Sequence, residues 1–314
     1  GIPHGPWAIA LWGLAKSLDL NVMYTSPVEI STEIITIETD IVANREYNET
    51  SSNLGLLANK ESQNLIRNII YEKDFDENFS YRYANRKMSA HINMHKIYIR
   101  RILSLLFKKP LSEYISPEFA LNINRRKKIK CALPILKYYL KILKALNFYK
   151  KNTTSDFPNK NSIVLFLHKQ PEASTNPLGG HFQDQLFILD LLLSALPKGM
   201  NIFVKEHPWQ YETIGEDKNE RSIDFYKYLI KDKRVRLLDR STSSESIIKK
   251  AAVIVSTCGT VGWQSIELGK PSIVFGWQWY TDCKSCFVVD SVKTLKEAFL
   301  KIKTISTKEV LKDK

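Results

Sequence analysis

The sequence contains no apolar run long enough to span a bilayer, for which about 20 residues are needed. The longest candidate, residues 186–196, is interrupted by Asp190 and is typical of a buried helix. Four cysteines in 314 residues are too few and too scattered for a disulfide framework. Cys283 and Cys286 have CxxC spacing, but no second pair or nearby histidine completes a zinc site. We therefore expect reduced thiols, no membrane-spanning helix and no metal site.

The positive charge of the chain is concentrated in one segment. Residues 82–151 contain 18 lysines and arginines against two acids, Glu113 and Glu118, a balance of +16, whereas the whole chain carries +13. Apolar and basic residues interleave at helical spacing over 92–107 and 135–148, which predicts amphipathic helices with cationic flanks. The segment could lie on an anionic membrane surface, bind an acidic glycan, bind nucleic acid or form a solvated face. We favour the membrane surface, and we expect no nucleic-acid partner because no nucleic-acid module accompanies the segment.

The first part of the chain gives weaker signals than the last. Residues 7–18 have the apolar spacing of a helix, and residues 21–25 are a short strand candidate. A helix followed by a strand is half of a βαβ unit, and the chain begins with Gly1 rather than Met. We therefore expect upstream sequence to be missing, and residues 1–155 to form a partial N-terminal α/β domain that includes the basic helical segment.

Residues 156–314 have the alternation of strands and helices that is typical of a doubly wound α/β domain. Strands are predicted at 162–168, 201–205, 234–238, 252–256 and 272–275, and helices at 182–196, 223–230, from Ser243 or Ser244 onward, 261–268 and 292–302. The strands are rich in valine and isoleucine and almost continuously apolar, as in a parallel sheet covered on both faces. A chain of this length has room for two domains.

The loops after these strands hold the candidate site, because ligands of such sheets bind beyond the carboxyl ends of the strands. Lys205 and His207 follow the second predicted strand and can bind a phosphate, while Pro208 fixes the backbone of that turn. A solvated turn with an incidental histidine is the alternative. Ser243 and Ser244 place hydroxyls at the start of a helix.

The loop after the fourth predicted strand is the strongest candidate for an anion-binding site. Thr257, Gly259 and Thr260 join an apolar strand to a helix; glycine lets backbone amides approach a ligand, and a helix N-terminus favours negative charge. The loop has neither the GxGxxG nor the Walker A pattern, and an ordinary tight turn is the alternative. Glu267, late in the following helix, could accept hydrogen bonds from ribose hydroxyls. Together these groups predict an anion-binding crevice.

Three motifs give the sequence a resemblance to a known family. Gln170-Pro171-Glu172-Ala173-Ser174-Thr175, residues 204–208 (Val-Lys-Glu-His-Pro) and residues 259–271 (GTVGWQSIELGKP) occur in that order. The order resembles the bacterial capsule polysaccharide biosynthesis proteins, a GT-B group that includes capsule Kdo transferases. The match spans about residues 162–289. It implies a GT-B-like fold, with two Rossmann-like domains facing a cleft and the nucleotide-sugar donor held by the C-terminal domain.

The resemblance also implies roles for individual residues. His207 and Pro208 would form a His-Pro motif that contacts the donor phosphate, Gly259 and Thr260 would contact the same phosphate, and Glu267 would bind the ribose or a base edge. Enzymes of this architecture usually need no metal, because helix dipoles and basic side chains stabilise the leaving phosphate. We therefore expect no cofactor, with the nucleotide-sugar acting as a substrate.

A catalytic base must lie within hydrogen-bond reach of the acceptor hydroxyl. The candidates are Glu172, then Asp184, then His4, and the base could also lie in missing upstream sequence. The resulting hypothesis is a metal-independent glycosyltransferase that moves a sugar from a nucleotide-activated donor to a growing capsular or other surface polysaccharide. Its acceptor would be a polysaccharide or a lipid-linked glycan, and the protein would be cytoplasmic and peripheral at the inner face of the cytoplasmic membrane.

Three other functions fit the same motifs. A CDP-polyol phosphotransferase of the teichoic-acid-polymerase type shares the architecture and a similar His-Pro loop. A nucleotide-sugar epimerase of the same fold would convert the donor without an acceptor. A non-catalytic scaffold of a capsule assembly complex would bind the donor without turnover.

Overall fold

The computed structural model divides into two compact units, residues 1–90 and 91–314. It describes residues 14, 15, 17, 18, 20, 24–27, 35–38, 125–170, 172, 175, 179–208, 210, 211, 221–276, 278 and 280–313. In the first unit, strands β1 (Tyr24–Pro27) and β2 (Ile35–Glu38) pair antiparallel. Residues 14, 15 and 17 are helical, in agreement with the helix predicted there. The predicted helix at 92–107 and His4 lie outside the described residues.

The second unit contains a six-stranded parallel sheet in the order β5-β4-β3-β6-β7-β8. Its strands are β3 (Ser162–Phe166), β4 (Asn201–Lys205), β5 (Val235–Leu237), β6 (Val253–Ser256), β7 (Ser272–Val274) and β8 (Cys286–Val288). Its helices are α1 (Arg125–Lys151), α2 (Gln185–Ala195), α3 (Ile223–Leu229), α4 (Ser244–Lys250), α5 (Val261–Glu267), α6 (Val292–Ile302) and α7 (Thr307–Leu311), with a 3₁₀ turn at Gly180–Gln183. The predicted doubly wound parallel sheet is confirmed.

Helices cover both faces of this sheet because successive strand residues point to opposite sides. Ile163 and Leu165 belong to a core that includes residues of α1, α2, α3 and α6. Val164 and Phe166 belong to a second core, built with α4. A third cluster joins Ile266 of α5 to α7. The strands are therefore buried on both faces, which explains their almost continuous apolarity.

Helix α1 confirms the amphipathic pattern predicted for residues 135–148. Its buried residues recur at three- and four-residue spacing and join the core beneath the sheet: Tyr139, Ile142, Ala145, Leu146 and Tyr149. The Tyr149 hydroxyl donates to the carbonyl of Leu238, at the end of β5, and accepts from the backbone N–H of Glu206 at 3.3 Å. Part of the basic segment thus packs against the sheet, whereas the predicted domain boundary at residue 155 stays a prediction.

Strands β2 and β8 and helix α7 were not predicted, and one helix begins later than expected. Helix α7 has five residues, too few for a helical period, and the pairing of each of the two strands with its neighbour is not visible in local pattern. The helix predicted from residue 182 begins at Gln185, because the Asp184 carboxylate accepts from the N–H of Leu186 at 3.0 Å and caps the helix.

Candidate functional site

The strand order places a crevice between β3 and β6. These neighbours lie where the connections reverse direction, since the chain runs from β3 outward to β5 and then returns to β6. Loops that leave β3 and β6 diverge at such a point, and the gap between them is the usual ligand site of an open parallel sheet. His168 follows β3, and Cys258 and Gly259 follow β6.

The ring of His168 joins the two sides of this crevice. Its Nε2 atom accepts from the backbone N–H of Cys258 at 3.3 Å, and its Nδ1 atom lies 3.7 Å from the Glu172 carboxylate. A Cβ atom on Gly259 would lie 2.9 Å from Nε2, so only glycine lets the loop approach the ring this closely. The side chain of His168 is 12% exposed. His168 thus links the loop after β3, the loop after β6 and a candidate base.

The protonation of His168 depends on opposing contacts. Burial disfavours the charged ring, but hydrogen bonding with the side chains of Cys258 and Glu172 outweighs burial and raises the pKa of the imidazole to about 9. The backbone N–H of Cys258 instead favours a neutral ring, because only an unprotonated Nε2 can accept it. A protonated Nε2 can donate to the Cys258 sulfur. The ring therefore contacts the loop after β6 in either state.

The backbone of His168 is held by two side chains from other elements. The amide of Gln185, at the start of α2, accepts from the His168 N–H at 2.8 Å and donates to its carbonyl at 3.3 Å. Arg221 Nη2 donates to the same carbonyl at 2.8 Å. The end of β3 is therefore fixed to α2 and to the segment that precedes α3.

Arg221 also forms a buried ion pair that shapes the loop after β4. Its Nε atom lies 2.7 Å from Oε2 of Glu206, and the two side chains are 2% and 0% exposed. The Tyr226 hydroxyl donates to the same oxygen at 2.7 Å, and the backbone N–H of His207 donates to Oε1 at 2.8 Å. A buried carboxylate requires such partners. The pair fixes the backbone at the start of the His-Pro turn.

The charges of Glu206, His168 and Glu172 all influence the ionisation of His207. Burial is the main cause that lowers the pKa of His207 to about 4, so the ring is neutral at physiological pH. The turn that contains Pro208 is tied to the loop after β3 by paired amides: Gln210 accepts from the N–H of Gln170 at 2.8 Å and donates to its carbonyl at 2.9 Å.

Three of the predicted phosphate-binding residues lie away from the β3–β6 crevice. Lys205 is 2% exposed, and its ammonium donates to the carbonyl of Arg240 at 3.3 Å, beneath the loop after β5. Burial lowers the pKa of Lys205 to about 8. Ser243 caps α4 by accepting from the N–H of Ser246 at 3.4 Å, and Ser244 is the first residue of that helix. These serines follow β5, an edge strand.

Several polar groups of the loop after β6 already form hydrogen bonds within the protein. Thr257 is buried, and its carbonyl accepts from Phe275 and Gly276 at 2.9 and 2.8 Å. The Gly259 N–H donates to Ser256 Oγ at 3.2 Å, so this amide is already engaged. Thr260 is half-buried, and its hydroxyl makes no capping hydrogen bond to α5.

Tyr280 packs against the first turn of helix α5 and forms a hydrogen bond with the loop before it. The Tyr280 hydroxyl donates to the Gly259 carbonyl, and a Cβ atom on Gly262 would lie 2.8 Å from Cε2 of the ring. Glu267 is the last residue of α5. At 1.5 Å per residue its backbone lies roughly 9 Å along the axis from the crevice end of the helix.

The two described candidate bases differ in their surroundings. The side chain of Glu172 is 46% exposed, and the neighbouring His168 ring, 3.7 Å away, is the main cause that lowers its pKa. Asp184 is exposed and caps α2. It also lines a cavity of about 630 Å³ between the starts of α2 and α3, together with Arg221 and Tyr228. Glu172 is thus the candidate base whose carboxylate lies near the ring of His168.

Three residues of this site were missed in the sequence: His168, Glu206 and Arg221. His168 could have been found, because it is the first polar residue after the strand that becomes the centre of the sheet. Glu206 lies within the Val-Lys-Glu-His-Pro motif but was given no role. Its pairing with Arg221, fifteen residues later, has no signal in the sequence.

Among the described residues, no group of three His, Cys, Asp or Glu side chains is arranged to hold a metal ion. Cys258, Cys283 and Cys286 are free thiols. None of the helices in that part of the chain has both the length and the apolarity needed to cross a membrane.

The sequence matches one protein-family model, and the structure is similar to several solved structures. A family model described as capsule polysaccharide biosynthesis protein matches residues 77–283. No curated protein is significantly similar. Similar solved structures include Methanocaldococcus jannaschii UDP-GlcNAc 2-epimerase in complex with UDP-GlcNAc and UDP, with 12% identity, a TM-score of 0.36 and coverage of 54% of this chain and 46% of that chain.

Two Thermosulfurimonas dismutans KpsC structures are also similar. The beta Kdo 2,4 transferase has 15% identity and a TM-score of 0.32, covering 48% of each chain. The beta Kdo 2,7 transferase has 18% identity and a TM-score of 0.30, covering 57% of this chain and 60% of that chain. The chain spans about half the length of the solved structures it matches.

Proposed function

Because the chain belongs to the capsule polysaccharide biosynthesis protein family, we propose that it is a GT-B glycosyltransferase. It would move a sugar from a nucleotide-activated donor to a growing capsular or other surface polysaccharide. The observation that supports this most is that His207, the Glu172–His168 pair and Thr260 lie in the loops after β4, β3 and β6, three neighbouring strands of one sheet.

In this proposal the donor phosphates lie against the loops after β4 and β6. A neutral His207 donates an N–H hydrogen bond to a phosphate oxygen, and Pro208 keeps the turn in place. Thr260 donates from a hydroxyl that does not cap its own helix. Lys205 acts through its field rather than by contact, since its ammonium is buried. Fixed donors and nearby cations can stabilise a leaving phosphate without a metal.

The acceptor hydroxyl would be deprotonated by Glu172. Its lowered pKa keeps the carboxylate ionised at neutral pH, and its half-exposed position leaves it accessible from the crevice. Glu172→Gln should abolish transfer while donor binding persists. Asp184→Asn is the matched control, because asparagine caps a helix as well as aspartate does. Equal loss of turnover in both variants would argue against Glu172 as the base.

The first test is a thermal-shift panel with CMP, CDP, UDP, GDP and their common sugars. A ligand at about 100 times its dissociation constant should stabilise the protein by roughly 2.7 kcal/mol. His207→Ala and Thr260→Ala should lose that response. His181→Ala and Thr304→Ala are matched controls on exposed positions, and they should keep it. A folded protein that responds to no nucleotide would contradict the donor site.

The products of the reaction separate this proposal from its alternatives. A sugar transferase releases a nucleotide only when an acceptor is present, whereas an epimerase converts the donor alone. A CDP-polyol phosphotransferase would consume CDP-glycerol rather than a nucleotide-sugar. A scaffold would bind the donor without any turnover.

We also propose that the exposed face of α1 lies on the inner surface of the cytoplasmic membrane, where lipid-linked glycan acceptors would be found. Leu136 and Leu140 are 39% and 47% exposed, and Lys137 and Lys144 are exposed on the same side of the helix. Exposed leucines flanked by lysines are typical of helices that lie on anionic bilayers.

Vesicle co-sedimentation tests this placement. The protein should bind vesicles that contain phosphatidylglycerol and should not bind vesicles of phosphatidylcholine alone. Replacing Lys137 and Lys144 by glutamine should weaken binding, whereas the same change at the exposed Lys293 and Lys296 of α6 should not. Equal binding to both vesicle types would contradict an electrostatic membrane surface.

A further inference from the structure

We propose that His168 is a positioning residue, which holds the loop after β6 in the conformation that binds the donor. The proposal rests on the donor site described above, but its central claim concerns the protein without ligand. No sequence motif singled this histidine out, and its ring lies where the loop after β3 contacts the loop after β6.

The contact between the ring and the loop is specific. The Nε2 atom accepts from the Cys258 N–H at 3.3 Å, and Gly259 passes so close that a single methyl group would lie 2.9 Å from the same atom. Thr260, the candidate phosphate ligand, is the next residue. A displacement of the ring would therefore move the loop at the point where the donor is expected to bind.

The His168 ring can hold the loop after β6 in place because hydrogen bonds fix the backbone of His168. Gln185 from α2 makes two hydrogen bonds to the His168 backbone, and Arg221 makes a third. Glu172, 3.7 Å from Nδ1, orients the opposite edge of the ring. A loop that is ordered before the ligand arrives loses less conformational freedom on binding, which raises affinity.

The same geometry argues against a direct chemical role. Nε2 faces the loop and Nδ1 faces Glu172, so both ring nitrogens already have protein partners. A general base needs a nitrogen that reaches the substrate. We therefore assign His168 to positioning rather than to catalysis.

Three variants of the full chain test the assignment: His168→Ala, His168→Gln and His168→Asn. A glutamine amide reaches the position of Nε2 and can either accept from the Cys258 N–H or donate to its sulfur, whereas asparagine is one methylene too short. Hydrogen exchange of peptides covering residues 256–262 should accelerate in the alanine and asparagine variants, and the glutamine variant should resemble wild type. Peptides from α6 serve as the control, and their exchange should not change.

Donor affinity is the second readout. Loss of one hydrogen bond typically corresponds to a 2- to 10-fold change. We expect nucleotide affinity to fall by about this factor in the alanine and asparagine variants and to recover with glutamine. In a transfer assay, KM for the donor should rise while kcat changes less.

Gly259→Ala provides an independent check if His168→Ala folds poorly. The added methyl should displace the loop in wild type and weaken nucleotide binding by itself. In the His168→Ala background the methyl has room, so the second substitution should add little. Such non-additivity is expected of residues in contact.

The outcomes distinguish this inference from the donor site itself. Unchanged exchange of residues 256–262 in His168→Ala would overturn the positioning role, whatever the protein binds. Faster exchange with full nucleotide affinity would also overturn it. If wild type binds no nucleotide, the proposed function fails, and the exchange measurements alone then decide whether His168 holds the loop.

Discussion

Removal of the Arg221 charge should strongly destabilise the sheet. Arg221 makes two hydrogen bonds to Glu206, at 2.7 and 3.4 Å, and one to the His168 carbonyl at 2.8 Å. In Arg221→Met, Glu206 stays fully buried and keeps only neutral donors, including the Tyr226 hydroxyl and the His207 N–H. Breaking a buried pair in this way typically costs 3–5 kcal/mol.

We expect the low end of that range, about 3 kcal/mol, because the remaining donors still solvate the carboxylate. Methionine also preserves part of the packing against Phe225, over whose ring the guanidinium lies at 4.4 Å. For a unit of this size, 1 kcal/mol corresponds to roughly 2–4 °C in Tm, so the transition should fall by about 6–12 °C.

The assay is hydrogen exchange of the β3 and β4 peptides as a function of urea, because these strands report the stability of the sheet alone. Arg234→Met is the matched control: Arg234 pairs with Asp232 at 2.7 Å, but both side chains are partly exposed. That variant should unfold close to wild type, since exposed pairs contribute little. The double variant Arg221→Met/Glu206→Gln should be more stable than Arg221→Met, because it removes the unpaired charge.

Two results would refute this reasoning. If Arg221→Met were as stable as Arg234→Met, the Glu206 pair could not be buried as described. If the double variant were less stable than the single one, the cost would come from lost packing rather than from an uncompensated charge.

Four other predictions concern pH, packing and metal. The pKa of His207 is about 4 in the folded protein and about 6.5 in the unfolded chain, so the unfolded chain takes up a proton first as the pH falls. The free energy of unfolding should therefore decrease as the pH drops from about 6.5 toward 4. Urea titrations of His207→Gln should lack this part of the pH dependence. The pH dependence that arises from His168 has the opposite sign, because its pKa in the folded protein, about 9, lies above the unfolded value. The stability that the protonated ring contributes below pH 6.5 should be lost as the pH rises through about 9, and His168→Gln should reduce this part of the pH dependence. Gly262→Ala should lower stability by about 1–3 kcal/mol, since its Cβ would collide with the Tyr280 ring, and an unchanged Tm would contradict that packing. Donor turnover should be unaffected by EDTA, and a loss restored by a divalent cation would contradict metal independence.

The sheet could be predicted because its strands carry a strong local signal. Runs such as residues 253–255 are β-branched and are followed by polar residues, so pattern alone located five of the six strands. Strand β8 was not located, and its pairing with β7 is a long-range property. The rule that ligands bind beyond the carboxyl ends of the strands selected the loops that follow each strand, but the strand order that brings the loops after β3 and β6 together could not be predicted from local pattern.

Side-chain direction was the weaker part of the prediction. Lys205 was expected in the crevice, but it lies two residues after Phe203 and therefore points to the same face of the sheet, where it lies over the Phe166 ring. This consequence of strand geometry could have been foreseen. The Glu206–Arg221 pair could not, because it depends on how the two ends of the connection between β4 and α3 come together.

Tyr149 has a consequence for dissecting the protein. Its ring is buried under the sheet, and its hydroxyl joins the ends of β4 and β5. A recombinant fragment that began at residue 156 would expose a large apolar surface and leave the Leu238 carbonyl without this donor, so it should aggregate. A fragment beginning before Arg125 should fold. Helix α1, which carries the exposed lysines, and the crevice therefore belong to one folding unit. An insertion or recombination point should be better tolerated upstream of α1 than downstream of it.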